Sequence, residues 1–320
     1  MNPFSSCMTR TRRRQSGMAL PMVLWTIALL AAVTILLAGI IEGWITEETR
    51  EGKQFKARQQ ALSGIAIALN SAVQPGDPLL RYHSHDRSEG YTVLIKDESG
   101  LINPNALLAV APDQRALLAH LFTAWGLSKD QSDTAADGLY DWQSTSPFRS
   151  LHGAKQSDYA SLGRGGLPPD APFNSPDEMA LVIGFDPVMQ AKPDWISYFT
   201  TYYNGKINVL HAPKGVLTDL IGLTPVQADQ WIQLRNGKDG IEGTSDDLVV
   251  DTIDHAADLM GASAAQRSLL LSVCGVAGSV RRIESTGIFN GVSHRITIIT
   301  SGGSTDNAQA SGNLLGWSEQ

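Results

Sequence analysis

The stretch R-T-R-R-R-Q-S-G at Arg10–Gly17, followed by M-A-L-P-M-V-L-W-T-I-A-L-L-A-A-V-T-I-L-L-A-G-I-I at Met18–Ile41, decides how this chain is organised. Four arginines precede a Ser16-Gly17 step, and the next charge is Glu42. The uncharged run from Met18 to Ile41 would make a helix of roughly 36 Å at about 1.5 Å per residue. That spans a hydrocarbon core about 30 Å thick. The arginine block favours the cytoplasmic side, so everything after Glu42 is expected on the opposite face.

Four readings of this segment compete. A cleaved secretory signal has an apolar core of about 7–15 residues and then a small-x-small site. This run is longer, and the helical pattern continues past it. A lipoprotein signal needs a cysteine after the apolar run, whereas Cys7 precedes it. A plain membrane anchor fits the run but leaves the Gly17 junction unexplained. The fourth reading is a short basic leader, a glycine, and the apolar helix of the mature protein, which resembles the leader of type IV pilin-like proteins.

Arg14-Gln15-Ser16-Gly17-Met18-Ala19-Leu20 is similar to a prepilin peptidase site. The resemblance implies cleavage after Gly17, with Met18 as the new and N-methylated first residue. Pilins carry a glutamate at the fifth mature position; here Met22 stands there. A carboxylate in lipid is costly unless it meets a cation, and in pilins that cation is the terminal amine of the subunit above. A subunit with nothing above it has no use for the glutamate, which points to the tip. Ala19-Leu20-Pro21-Met22-Val23-Leu24-Trp25 resembles the same stretch of the general secretion pathway protein K family, the large minor pseudopilins of type II secretion.

The chain has 320 residues, 42% apolar and 18% charged, enough for one or two domains beyond the anchor. Loss of residues 1–17, with four arginines and no acid, would take the formal charge from −7 to −11. An acidic surface argues against nucleic acid as a partner. Cys274 would be the one cysteine left, so no intramolecular disulfide is expected; within L-L-L-S-V-C-G-V-A-G it reads as a small buried apolar residue.

Beyond the membrane, Glu42–Val73 continues as helix. Ala57, Ala61, Gly64, Ile65, Ala68 and Leu69 fall on one face, and Pro75-Gly76 ends it. Tyr91–Lys96 predicts a strand and Asp97-Glu98-Ser99-Gly100 a turn. Leu101-Ile102-Asn103-Pro104-Asn105-Ala106-Leu107 is similar to a landmark of the protein K family, as is Ile207-Asn208-Val209-Leu210-His211-Ala212-Pro213. Between them the pattern is mostly helical, with helices at Ala116–Trp125 and Ser132–Trp142 and a cap at Asn174 or Ser175 ahead of Pro176. Asp137-Gly138-Leu139-Tyr140-Asp141-Trp142 resembles a family segment that is more acidic after its tryptophan than Gln143-Ser144-Thr145.

Helices at Lys214–Ile221 and Thr224–Leu234, joined by Gly222-Leu223-Thr224, also resemble a DNA-binding helix-hairpin-helix. Thr224 replaces that motif's second glycine, and basic neighbours are few. A DNA-uptake or type IV pilus-associated minor pilin is therefore the alternative reading. In Asn236–Asp247, acids interleaved with glycines suit an oxygen-liganded cation. Proteins of the resembled family carry calcium in their heads, so Asp239, Asp246 and Asp247 are candidate calcium ligands, against a solvated acidic loop. His83-Ser84-His85-Asp86 lacks a third ligand nearby and reads as a surface turn. Val280–Ile288 and Ser293–Ile299 predict a hairpin around Asn290-Gly291, and Ser301–Gln320 a disordered tail.

The implied fold is α+β, type IV pilin-like: a long N-terminal transmembrane helix packed on an antiparallel sheet, with a large inserted helical domain of SAM-like or helix-hairpin-helix-like character. The expected segments are a leader at 1–17, anchor and spine helix at 18–75, and a first α/β part at 76–102. An inserted helical domain follows at 103–205, a second helical region at 206–278, C-terminal strands at 279–300 and a tail at 301–320. The sequence holds no G-x-S-x-G, Walker A, H-E-x-x-H or C-x-x-C motif, so no enzyme is expected. The resemblance implies a single-pass protein of the bacterial inner membrane with a cytoplasmic N-terminus and periplasmic head. Its implied partners are prepilin peptidase, the minor pseudopilins I and J and, indirectly, the major pseudopilin of the shaft. With I and J it would cap the pseudopilus tip, prime assembly and help push exoproteins outward.

Overall fold

The computed structural model describes residues 19–70, 72–110, 114–203, 205–278, 280–301 and 313–320, with side chains described throughout except at 19, 38–49 and 110. Gly17 and Met18 lie outside the described residues. The chain forms two units, 1–55 and 56–320.

In the first unit the described chain is helix. The helix α1 (Ala19–Ala68) is 50 residues long and carries its apolar run in this part. Over Leu20–Leu37 the mean hydropathy is 2.4 and no residue is buried. Thr26 and Thr34 donate their hydroxyls to the carbonyls of Val23 and Leu30 at 2.9 and 2.8 Å. The two threonine hydroxyls of this stretch are thus satisfied within the helix, as a lipid environment favours.

The second unit begins with the last turns of α1, which bury Ala57, Ala61, Ile65 and Ala68 on one face. The helix stops at Ala68, before the expected Val73. Asn70 accepts from the amide of Ala72 at 3.0 Å and turns the chain toward Pro75-Gly76. A five-stranded antiparallel sheet receives the helix. Its strands are β1 (Arg81–His83), β2 (Glu89–Asp97), β5 (Val280–Phe289), β6 (Val292–Ser301) and β7 (Asn313–Glu319), in the order β1-β2-β5-β6-β7. Helix and sheet meet closely because small residues face each other. A Cβ on Gly287 would lie 2.1 Å from the carbonyl oxygen of Ala57, and one on Gly64 would lie 2.3 Å from Oγ of Ser285. Ile65, Tyr91, Val93, Ile283, Ile296 and Ile298 fill the remaining space.

The expected β5–β6 hairpin forms around Asn290 and Gly291, both at positive φ (45° and 80°), the geometry that asparagine followed by glycine supplies. Two features differ from the expectation. Residues before the His83–Asp86 turn form β1, which pairs with β2 from Arg81↔Thr92 to His83↔Gly90. The tail expected to be disordered contains β7, paired with β6 from Ile296↔Glu319 to Ser301↔Asn313. Its seven residues complete the edge of β6, while the Gly/Ser-rich composition of the whole tail hides their apolar character. Residues 302–312 lie outside the described residues.

Between β2 and β5 stands the helical insertion. It comprises α2 (Pro104–Val110), α3 (Gln114–Ala124), α4 (Lys129–Gln143), α5 (Gln156–Ser161) and α6 (Asp186–Ala191). These are followed by α7 (Pro225–Arg235), α8 (Ile253–Leu259) and α9 (Ala264–Val273). A short parallel pair, β3 (Ile207–Asn208) with β4 (Cys274–Gly275), joins the two ends of its second half. Three helices start at the same device: Ser128 with Gln131, Thr224 with Gln227, and Ser263 with Gln266 form reciprocal capping boxes. The box at Ser128 explains why α4 begins ahead of Ser132. Ser175 caps the 3-10 turn Pro176–Leu181, as expected. Val216–Leu220 winds as a π-helix where a regular helix was expected. Residues 103–205 and 206–278 share one apolar core, in which Phe122, Trp142, Phe185 and Trp231 are fully enclosed. Trp142 stacks on Phe173 at 5.5 Å, and Phe122 meets Phe185 edge-on at 5.9 Å.

Candidate functional site

No cleft with convergent catalytic groups organises the described residues; what stands out are an exposed apolar helix, a set of asparagine-rich joints and an acidic loop. In the helix, Met22 is 66% exposed and Trp25 77%. The segment Leu20–Leu37 carries no ionisable side chain and presents an exposed apolar surface.

The asparagine landmarks are joints between distant segments. Asn103 accepts from the amide of Asn105 at 2.9 Å, opening α2, and donates Nδ2 to the carbonyl of Tyr203 at 2.9 Å. Asn105 clasps the main chain of Phe173 from both sides, at 2.9 and 2.8 Å. Asn208 receives its place from β3: its amide donates to Ser99 at 2.8 Å and Nδ2 to Gly278 at 3.3 Å. Ser99 in turn donates its hydroxyl and its amide to Oδ1 of Asp97, at 2.5 and 2.7 Å. Gly100 is obligatory in this joint, since a Cβ would lie 2.2 Å from the carbonyl carbon of His211. Burial pushes the carboxyl of Asp97 up from its ordinary range. The acids at the end of α4 are likewise structural. Asp137 meets Arg115 at 3.1 Å, and Asp141 accepts from both the amide and the hydroxyl of Ser150 at 2.8 Å.

The structure brings Asp239, Asp246 and Asp247 together, with one oxygen from each lying within 4.8 Å of the others. One oxygen of each carboxylate is fixed by an amide of the same loop. Ile241 donates to Asp239 at 2.8 Å, Lys238 to Asp246 at 2.7 Å, and Gly243 to Asp247 at 2.6 Å. The donors are all hard oxygens on a glycine-rich turn, a set that fits a calcium-sized cation. The Thr244 hydroxyl and the Lys238 amide hold Asp246 below the usual carboxylate range. Partial burial, with the charges of Asp239 and Asp246 alongside, pushes Asp247 up.

Sequence reasoning missed the groups that tie this loop to the head. Glu242 lies 2.8 Å from Nδ1 of His211 and 3.4 Å from the guanidinium of Arg235, which is only 4% exposed. The sole signal was a basic residue in the last turn of a helix; nothing in its spacing names Glu242 as partner. His83 and His85 sit at the exposed β1–β2 turn, where Asp86 accepts from Ser84 and Ser88 rather than from a histidine. In the helical hairpin, the amides of Gly222 and Leu223 already donate to the carbonyls of Thr218 and Leu217. They are the groups a phosphate would need. Cys274 is fully buried, as expected, and burial pushes its thiol up to about 12.

Comparison with known proteins agrees with this architecture. Residues 100–193 match the family model described as type II secretion system (T2SS), protein K. The resemblance read from the sequence is borne out over that segment. The fold is similar to a chain in the crystal structure of the GspK-GspI-GspJ complex from the enterotoxigenic Escherichia coli type 2 secretion system. The TM-score is 0.61 at 15% identity, covering 86% of this chain and 99% of that one. Among curated proteins none matches. The shared fold is that of a pilin-like unit with a helical insertion.

Proposed function

We propose that this chain is a minor pseudopilin of type II secretion, of the protein K type, anchored in the inner membrane with its head in the periplasm. The observation that carries this reading is the pairing of a charge-free exposed helix with a pilin-like sheet interrupted by a large helical insertion that matches the protein K family. The alternative, a DNA-uptake minor pilin, would share the anchor, but the amides of Gly222 and Leu223 that a phosphate would need already donate within the hairpin.

In this reading prepilin peptidase cuts after Gly17 and Met18 becomes the mature N-terminus. The apolar helix then packs among the helices of a filament, and its lack of a carboxylate near Met22 suits a subunit with none above it. The insertion between β2 and β5 adds bulk that a helical shaft would exclude, so the head sits at the tip with the smaller pseudopilins I and J. Likeness to a chain from a complex of GspK, GspI and GspJ supports that partnership. The tip complex primes assembly, and growth of the pseudopilus below it moves exoproteins toward the outer membrane. Mechanics rather than bond chemistry is the output.

Calcium held by Asp239, Asp246 and Asp247 fits the same reading. The cation would neutralise three carboxylates on one exposed turn and order residues 236–248.

The deciding experiment is the intact mass and N-terminal sequence of the full chain, expressed with and without prepilin peptidase. A mature chain starting at Met18 is expected, together with co-purification of I and J. A chain that retains Met1 in the presence of an active peptidase overturns the reading. For calcium, the thermal midpoint is expected to rise with added CaCl2 in the wild type and to stay fixed in a D246N/D247N variant.

A further inference from the structure

Asp97, His211, Glu242 and Arg235 come from four separate segments, yet their charged groups form one chain. Nδ1 of His211 lies 2.8 Å from Oε1 of Glu242, and Nε2 lies 3.9 Å from Oδ2 of Asp97. Both ring nitrogens therefore face a carboxylate. A neutral imidazole has one hydrogen to donate, whereas an imidazolium has one for each side.

Arg235 completes the chain from the end of α7. Its guanidinium donates to the carbonyls of Val209 and Ala212, both at 2.8 Å, and reaches Oε2 of Glu242 at 3.4 Å. Its own carbonyl accepts from the amide of Leu248 at 2.9 Å, which closes the base of the 236–248 loop. Glu242, midway along that loop, is the residue that bonds both Arg235 and His211. The charges facing His211 are thus Asp97 from the end of β2, Glu242 from the loop and Arg235 from α7.

We propose that His211 is a pH-dependent latch: its cationic ring fastens the 236–248 loop to the end of β2, and loss of the ring proton releases the loop. Midway along the loop the amides of Lys238, Ile241 and Gly243 bond back to the loop's own carboxylates and so do not supply this tie. The direction follows from the surroundings of the ring. Burial works against the charged form, but the Glu242 hydrogen bond and the two carboxylates outweigh it, so the ring's pKa lies above its ordinary value of 6.5. A group raised in the folded state contributes fully below its unfolded value and loses that contribution as pH rises through the folded one. The latch is closed in acid and opens toward alkaline pH. The periplasm, continuous with the medium for small ions, would expose the head to such changes.

The test is hydrogen exchange of the full chain in detergent micelles, followed by mass spectrometry from pH 5.5 to 9, with intrinsic rates corrected and a chelator present so that cation binding plays no part. Protection of peptides covering 236–248 is expected to fall as pH rises, by about tenfold for each unit separating the ring's folded and free values. Protection of β5 and β6 is expected to stay level. In His211→Gln the loop should exchange at the released rate at every pH. In Glu242→Gln, which removes the anion bonded to Nδ1, the transition should move to lower pH. A wild-type loop whose protection is flat overturns the latch, as does an unchanged pH dependence in either variant.

Discussion

Arg58 on α1 and Glu319 on β7 form a two-pronged ion pair, Nε to Oε2 at 2.7 Å and a terminal nitrogen to Oε1 at 2.8 Å. His294 lies 3.1 Å from the same carboxylate and Trp317 donates its indole N–H to it at 3.0 Å. The last strand is thereby tied to the spine helix as well as to β6. The bonds from Arg58, helped by those from His294 and Trp317, hold the Glu319 carboxyl at about 2. A depressed carboxyl contributes stability above its unfolded value and loses it as pH falls through the folded one. Attachment of β7 is therefore expected to persist at pH 4 in the wild type. In Arg58→Ala it should loosen at higher pH, read by exchange of the 313–319 amides.

Helix-to-sheet packing makes a second prediction. The approach of Ala57 to Gly287 leaves no room for a methyl group, since a Cβ would sit 2.1 Å from a main-chain oxygen. Gly287→Ala is expected to push α1 from the sheet at a cost of about 1–3 kcal/mol, the range for an overpacked core. Urea unfolding of the full chain in micelles measures it. Gly52, with open space around it, serves as the control: Gly52→Ala in the helix is expected to be neutral or stabilising.

Inside the insertion, Asp219 accepts from the indole of Trp125 at 3.0 Å and from the hydroxyl of Tyr198 at 2.9 Å. Asp219→Leu strands both donors in a half-buried site. Each unsatisfied donor costs about 1–3 kcal/mol, so this variant is expected to be among the most destabilising in the helical core. A fall in the urea midpoint with an unchanged slope would agree; an unchanged midpoint would refute it.

Cys274 makes a chemical prediction. A thiol that is fully buried and pushed up to about 12 carries almost no thiolate at pH 8. Maleimide is expected to leave the native chain unlabelled there and to label Cys274 only after unfolding. Rapid labelling of the folded protein would contradict the enclosed position at the start of β4, paired with Ile207 of β3.

How much of this was legible beforehand can be argued element by element. The apolar run at Met18–Ile41 gave the helix, because composition over about 20 residues is decisive whatever surrounds it. The Asn290-Gly291 turn gave the β5–β6 hairpin, because only positive φ at both positions matches the twist of the strands. The acidic loop was legible as a cluster, since Asp239, Asp246 and Asp247 lie close in the chain as well as in space. The strand β7 was not, because its seven residues are held by Arg58 and by β6, neither of which their own composition announces.

The sequence by itself determined the long apolar helix, the hairpin and the residue types of the acidic turn, all of which depend on neighbours close along the chain. Only the tertiary structure decided that α1 meets the sheet through Gly64 and Gly287, that β7 closes the sheet edge, and that His211 stands between Asp97 and Glu242. Local sequence sets backbone preference and hydrophobic period. Long-range pairing instead follows from which side chains the packed core leaves facing one another, and no spacing rule encodes that.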